Sequence, residues 1–481
     1  MKRFMMIVGT MLFALGVWVI YEINAIPDVL VMKAQPVKRL TLHHVNIMTM
    51  TPDEPQIQFD YSVEVEDGVI SRIYPTPEAT RIIAEDRNVI DGQGQFLLPG
   101  LIDAHIHLSD ETELAGYLAY GVTGIRNMGG YPFHLRLKER IETSQLLAPD
   151  FMTTGPILNS EGPNAAVNQQ IVNTAAEARA AVRQHHKAGF TTLKLYSNLT
   201  EDAFDAILDE AQQLNMPVAG HSPEGKRESG MPFEKPFSMA WSKTLGAGFQ
   251  TLEHTETLVW HAFEDNLEEQ RIAEIASQLI KHDQALVPTL IAHRRLVDIA
   301  LTKGAYLDEP EYQMISPLVE LVDGGSISFW QDMDPTHYEV PHAEFFAKVT
   351  GELHRQGVTL LVGTDAGGFG VAPGASIHKE LALLYQTGIP AYYVLKAATA
   401  VNAARLGFGN TGQIKVGYRA NMLLLNSNPL HYLSELETPA AVIVRGQMLD
   451  SGKLQLLRKG AMDTSLTRAI IRAIELLWFI H

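Results

Sequence analysis

LLPGLIDAHIHLSD, residues 97–110, is the stretch on which the fold turns. An apolar run leads to His105-Ile106-His107, and because side chains alternate across a strand, both imidazoles leave it on the same side. Two such groups at a strand end form a chelating pair. Four more runs are built alike, apolar up to one ligand-type residue: FTTLKLY around Lys194, MPVAGHS around His221, GFQTLEHTE around His254 and VTLLVGTDAGG around Asp365.

Spacing turns these runs into geometry. A β/α barrel spends roughly 30 residues on each strand and helix. His107 to Lys194 covers 87 residues, or three units, while Lys194 to His221 covers 27 and His221 to His254 covers 33, one unit each. These residues therefore fall on strands 1, 4, 5 and 6. The 111 residues from His254 to Asp365 are two units with a large excess, so Asp365 ends strand 8 and an insertion precedes it. Residues from several strands meet at the C-terminal mouth, where such barrels do their chemistry. The expected fold class is α/β, a (β/α)8 TIM-like barrel.

The pattern resembles the amidohydrolase superfamily from about Leu40 to about Leu449. The resemblance is carried by PGLIDAHIH, Lys194, the His221 and His254 strand ends, GTDAG around Asp365, and the closing run AATAVNAARLGFGNTGQIKVGYRANMLLLNSNP. It is most similar to binuclear members with a strand-4 lysine, near the prolidase and imidazolonepropionase-like branch. The resemblance implies two divalent metal ions, one held by His105, His107 and Asp365 and the other by His221 and His254. Lys194 would bridge them as a CO2-derived carbamate, since a protonated amine repels a cation. Nitrogen and oxygen ligands favour Zn2+. Water bridging two such ions loses its proton near neutral pH, and Asp365 is the expected base that takes the proton and then delivers it to the leaving nitrogen. Tyr196, two residues past Lys194, and His378, in GASIHKEL, are the candidates for substrate contact. Relatives often carry Arg-Asp at the end of strand 2, where this chain has Arg126-Asn127, one charge fewer.

The implied activity is hydrolysis of C–N bonds, with dipeptides or N-acyl amino acids as the first substrate class. Cyclic amides are second, and esters or lactones would use the same machinery. A non-catalytic scaffold of the same fold is the rival of a different class, but scaffolds lose metal ligands and all six positions are filled here. A net charge of −17 argues against a nucleic-acid partner, and the absence of cysteine excludes disulfides and thiolate metal sites.

Residues 1–25 begin MKRFMMIVGTMLFALGVWVIYE, with 18 uncharged residues from Phe4 to Tyr21 behind Lys2 and Arg3. At 1.5 Å per residue that is about 27 Å of helix, near the roughly 30 Å hydrocarbon core of a bilayer. The segment therefore reads as a membrane anchor at the inner membrane with the enzyme in the periplasm, or as a signal peptide cleaved after Ala25. Short strand-like runs in 40–96 and again in 410–455 are expected to join in a composite β-sandwich beside the barrel, 97–409. The run ALVPTLIAH, residues 285–293, reads as strand 7, and two long segments, one after His221 and one after that strand from His293 to about His354, would overhang the mouth. The tail, 456–481, is expected to be a helix whose apolar stripe (Leu466, Ile470, Ile474, Leu477) docks on its own domain or serves a membrane or homo-oligomer contact.

Overall fold

The structure is a computed structural model describing residues 26–31, 38–76, 88–163, 165–225 and 237–481, with 10–11, 13–14, 16–19 and 21–22 before them. Short runs rich in β-branched residues, broken by Gly and Asp, form β1 (Arg39–Ile47), β2 (Gln58–Glu66), β3 (Val69–Pro75), β4 (Asn88–Asp91) and β5 (Phe96–Pro99).

The barrel follows. β6 (Leu101–Ile106), β7 (Val122–Asn127) and β8 (Asp150–Thr153) pair in parallel. β9 (Ile157–Asn159), β10 (Gln169–Ile171), β11 (Leu193–Leu195), β12 (Val218–Gly220), β13 (Thr251–Glu253) and β14 (Leu286–Val287) form a second parallel sheet in the order β10-β9-β11-β12-β13-β14. Residues 358–365 close the ring. Leu361 N–H donates to Leu286 O (2.9 Å) on one side, while Ala104 N–H reaches Val362 O (2.9 Å) and Asp365 N–H reaches His105 O (2.8 Å) on the other. Gly155 N–H to Thr192 O (2.9 Å) joins the end of β8 to the entry of β11. Helices cover the outside, so β6, β7, β11, β12 and β13 are buried along their whole length, which is why they read as continuous apolar runs. This is a TIM-barrel-like α/β fold.

One internal lock is invisible in the linear pattern. Asp103, buried within β6, accepts from Thr364 Oγ1 (2.7 Å), Thr364 N–H (3.0 Å) and His105 N–H (3.2 Å), pinning the first strand to the last. Burial raises its pKa to about 7 despite these donors.

The run ALVPTLIAH departs from its expected reading as a strand. Only Leu286–Val287 are extended, and a helix begins at Leu290. The cause is tertiary: the Glu380 carboxylate accepts from Leu290 N–H (3.0 Å) and Ile291 N–H (2.8 Å), supplying a helix cap from 90 residues away. The insertion continues through the helix Pro317–Asp332 and ends in Glu339–Gln356, which leads into the closing strand. Part of the other overhanging segment, 226–236, lies outside the described residues.

After the barrel come β15 (Met422–Leu425), β16 (Ala441–Val444) and β17 (Gln447–Asp450). They join the first five strands in one eight-stranded sheet, ordered β17-β16-β15-β5-β1-β2-β3 with β4 on β1. The sheet has its own apolar core, including Leu42, Val45, Val63, Leu97, Met422 and Ile443. Asp150 in β8 ties it to the barrel, accepting from Arg419, from Asn421 Nδ2 (2.9 Å) and from Arg445 Nη1 (3.1 Å).

Two expectations about the ends are corrected. The membrane anchor, and with it the inner-membrane and periplasmic placement, is overturned: no helix among the described residues is long and apolar enough to cross a membrane. Residues 1–9, 12, 15, 20 and 23–25 of the segment lie outside the described residues. At the other end the helix Leu466–Ile480 does dock on the barrel, but not through its apolar stripe. Leu466, Ile470 and Ile474 are exposed, while Ala469 and Arg472 face inward. Charge pairing decides the orientation. Arg472 donates to Glu111 (2.7 Å) with its guanidinium 4.0 Å from the Phe133 ring centroid, and Arg468 holds Asp110 (3.0 Å).

Asp150→Ala leaves two arginines and Asn421 without their shared acceptor. The expected loss is about 1–3 kcal/mol of unfolding free energy, read from urea denaturation.

Candidate metal centre

The strands deliver their ligand-type residues to one mouth. His105 is fully buried, and its Nδ1–H donates to Glu253 Oε2 (2.7 Å), which leaves Nε2 as the free lone pair. That Nε2 lies 3.2 Å from Asp365 Oδ1 and makes no hydrogen bond. His107 Nε2 lies 3.1 Å from the same oxygen. His105, His107 and Asp365 offer ligand atoms within 4.8 Å of one another. His254 Nδ1 is hydrogen-bonded to Thr289 Oγ1 (2.6 Å), which leaves Nε2 as its other ring nitrogen toward the mouth.

The rings form a continuous array. Centroids are 5.3 Å apart for His107 and His105, 4.7 Å for His105 and His254, 4.5 Å for His254 and His221, and 4.0 Å for His221 and Tyr196. Lys194 sits in β11 with no exposure, and among the described residues its Nζ has no hydrogen-bond partner, as is true of His221 Nδ1. Burial lowers the Lys194 pKa to about 8, against the pull of Glu253 and Asp365. Burial, and next the Lys194 charge, push His105 and His221 well below the usual histidine range, and burial lowers His254 as well. Burial would raise Asp365, but His105 and the hydrogen bond from His107 hold it well below the usual carboxylate range.

Neutral imidazoles, an ionised carboxylate and orphaned buried nitrogens are the donor set that a divalent cation requires. These residues fit a metal ion, and they do not make a satisfied polar core on their own.

The two substrate-contact candidates part company. Tyr196 lies beside His221, the two rings tilted by 42°. His378 is not part of this ring array: the residue is buried in the helix Ser376–Gln386, and its Nε2–H donates to Tyr120 O (3.0 Å), a packing contact that occupies one ring nitrogen. Asn127 also has a structural task, accepting Leu108 N–H (2.8 Å) and donating to Thr153 Oγ1 (3.0 Å), which steadies the backbone after His107.

Glu253 went unread in the sequence. Its Oε1 accepts from Arg126 Nη2 (2.8 Å) and Thr251 Oγ1 (2.5 Å) while Oε2 holds His105. The available signal was a charged residue within each of two apolar strands, Arg126 in GVTGIRNM and Glu253 in TLEH, since a buried charge demands a partner. Arg295 and His293, on the first helix of the insertion, were also missed.

The barrel and its mouth define a hydrolase of the metal-dependent barrel class. A sequence model of the amidohydrolase family matches residues 251–449. A 5-methylthioadenosine/S-adenosylhomocysteine deaminase of Shouchella clausii (strain KSM-K16) is 24% identical over 435 residues, 81% of this chain and 86% of its own length. Among solved structures, a putative prolidase from Bifidobacterium longum is 26% identical with a TM-score of 0.64, covering 89% of this chain and 100% of its own. A bottromycin amidohydrolase, at 23% identity and a TM-score of 0.71 over 92% of this chain and 96% of its own, shares the fold. The family match over residues 251–449, together with the shared fold, supports a place in the amidohydrolase superfamily and a metal-dependent hydrolase acting on C–N bonds.

Glu253→Gln keeps the shape of the side chain but loses the charge that orients His105. Metal affinity, read by competition with a chelator, is expected to fall about 10- to 100-fold, with Arg126 left unpaired.

Proposed function

We propose that the enzyme hydrolyses the amide bond of dipeptides or N-acyl amino acids with a binuclear centre. In this reading His105, His107 and Asp365 would hold one divalent ion and His221 and His254 the other, with Lys194, converted to a carbamate, supplying an anionic oxygen ligand; zinc would suit the donor set. Bound metal would lower the pKa of water and polarise the substrate carbonyl. The observation that carries the reading is Lys194. A fully buried amine with no partner, between imidazoles whose pKa values it depresses, is costly as an ammonium ion and well suited to conversion into an anionic oxygen ligand.

The residues of the chain would share the remaining work. Asp365 accepts the proton of the attacking water and returns it to the departing nitrogen, one carboxylate acting as base and then acid. Glu253 and Thr289 hold Nδ1 of His105 and of His254, keeping both Nε2 atoms directed inward. Tyr196, beside His221, offers a hydroxyl to the substrate carbonyl. The helices of the insertion overhang the mouth, with Asp323 Oδ2 accepting Phe369 N–H (2.6 Å) on the loop after Asp365. The parts of the chain in this reading are the barrel, 97–409, and a flanking β-domain, 40–96 with 410–455.

The name of the Shouchella clausii relative favours a second reading, removal of an amino group from a purine ring, which is also cleavage of a C–N bond. Screening the purified, metal-loaded protein against dipeptides, N-acyl amino acids and adenosine derivatives separates the two by product.

Protein purified with zinc and bicarbonate is expected to carry close to two metal equivalents by elemental analysis. One equivalent, unchanged in Lys194→Ala, would overturn the bridging role. Asp365→Asn is expected to retain most of its metal while kcat falls by about 10² to 10⁴; near-normal turnover would remove Asp365 from the proton path.

A further inference from the structure

Arg295 lies in the second turn of the helix Leu290–Leu301, just beyond β14 and therefore at the mouth of the barrel. It is buried, with 7% exposure. Its Nη1 donates to Ala292 O within its own helix, and its Nε is buried with no hydrogen-bond partner. The guanidinium carbon lies 5.6 Å from the ring centroid of Phe369, on the loop that follows Asp365. Among the described residues no carboxylate comes within ion-pair distance of it.

Nearby acids create a field without supplying a partner. Asp365, Glu256 and Asp323 all act on Arg295 electrostatically. Each is engaged elsewhere: Asp365 with His107, Glu256 with His293 (3.5 Å), and Asp323 with Phe369 N–H (2.6 Å). A guanidinium stays charged, and a buried unpaired charge is retained only where something compensates it. Nε–H has no partner, no hydrogen bond of the Nη2 group is found among the described residues, and the two lie along one edge of the guanidinium that matches the two oxygens of a carboxylate.

We propose that Arg295 is the anion-binding residue of the substrate pocket and takes the free α-carboxylate of an amino-acid unit, so that amides bearing this carboxylate, and not neutral amides, are the substrates. The assignment rests on the mouth around Asp365 being the reacting site, and it deepens that reading by naming the recognised group. The carboxylate would sit beside the loop that carries Asp365, fixing the scissile amide by an ion pair at one end.

Two measurements on the metal-loaded full-length protein test it. First, kcat/KM is compared for dipeptides with a free C-terminus and for the same peptides as C-terminal amides. Wild type should prefer the free acids at least about 100-fold; Arg295→Met should lose most of that preference, chiefly through KM, and Arg295→Lys should keep part of it. Second, calorimetry measures binding of L-leucine and of L-leucinol, which lacks the carboxylate, and neither compound can be hydrolysed. Wild type should bind leucine at least about tenfold more tightly, and Arg295→Met should bind the two alike. Inactive peptides with a leucine preference that Arg295→Met abolishes would leave the anion subsite standing and remove the dipeptide reading. Equal binding of leucine and leucinol by wild type, or an undiminished preference in Arg295→Met, overturns the proposal. Should Arg295→Met fail to fold, an undiminished preference in Arg295→Gln overturns it equally.

Discussion

Glu253 takes the Nδ1 proton of His105 on one oxygen and the guanidinium of Arg126 on the other, with all three side chains buried. The direction of the first histidine follows from this contact, because a neutral imidazole that gives up Nδ1–H can present only Nε2 to a metal. Arg126 in turn donates to Ala104 O (2.6 Å) and Thr251 Oγ1 (2.9 Å), so the same network grips β6 and β13 as well as β7. Three strands thus share one buried charge pair. Removing either charge would strand the other, whereas the intact pair converts the cost of burial into a fixed ligand direction.

Backbone conformation is bent to the same end. His254 has φ +71°, Thr289 +46° and Asp365 +63°, all left-handed values at the ends of barrel strands. Such residues cost about 1–3 kcal/mol each and persist where neighbours overdetermine them. Thr289 is the most telling, because a β-branched residue resists this region. Its hydroxyl holds His254 Nδ1, and the Glu380 carboxylate caps the helix that starts directly after it. Asp365 is held by its own N–H on His105 O, and His254 by its N–H on Val287 O (2.8 Å). The turn that aims each ligand is therefore stabilised by a neighbouring strand.

The insertion adds helices beyond the strand ends of the barrel. Its first helix brings Arg295 and His293 to the rim, and its second lays Asp323 against the loop after Asp365. His293 sits between Glu256 (3.5 Å) and Glu339 (3.1 Å), and these carboxylates lift its pKa to about 9 although burial opposes them. That ion cluster fastens the insertion to the segment following His254. Rigid strands hold the reacting end while a covering of helices shapes what can approach it.

Much of this was legible in the linear chain because barrel strands are buried on both faces and end in single polar residues. The order and spacing of His105, His107, Lys194, His221, His254 and Asp365 placed them on strands 1, 4, 5, 6 and 8 of a β/α barrel, since period and unit length are properties of local sequence. What the chain alone left open depends on contacts between distant segments. The helix at Leu290, capped by Glu380, looked like a strand because the capping residue lies 90 positions away. The terminal helix turned its arginines inward because Asp110 and Glu111 wait on the barrel, and an amphipathic pattern does not reveal where partners lie. His378 resembled a substrate-contact residue until a carbonyl at Tyr120 took its Nε2–H, and Glu253 and Arg126 gained meaning only once their strands lay side by side. Local sequence determined which residues end each strand; tertiary packing decided which of them are consumed by neighbours and which remain free for a metal or a substrate, because a polar group's role depends on what else is within hydrogen-bonding distance.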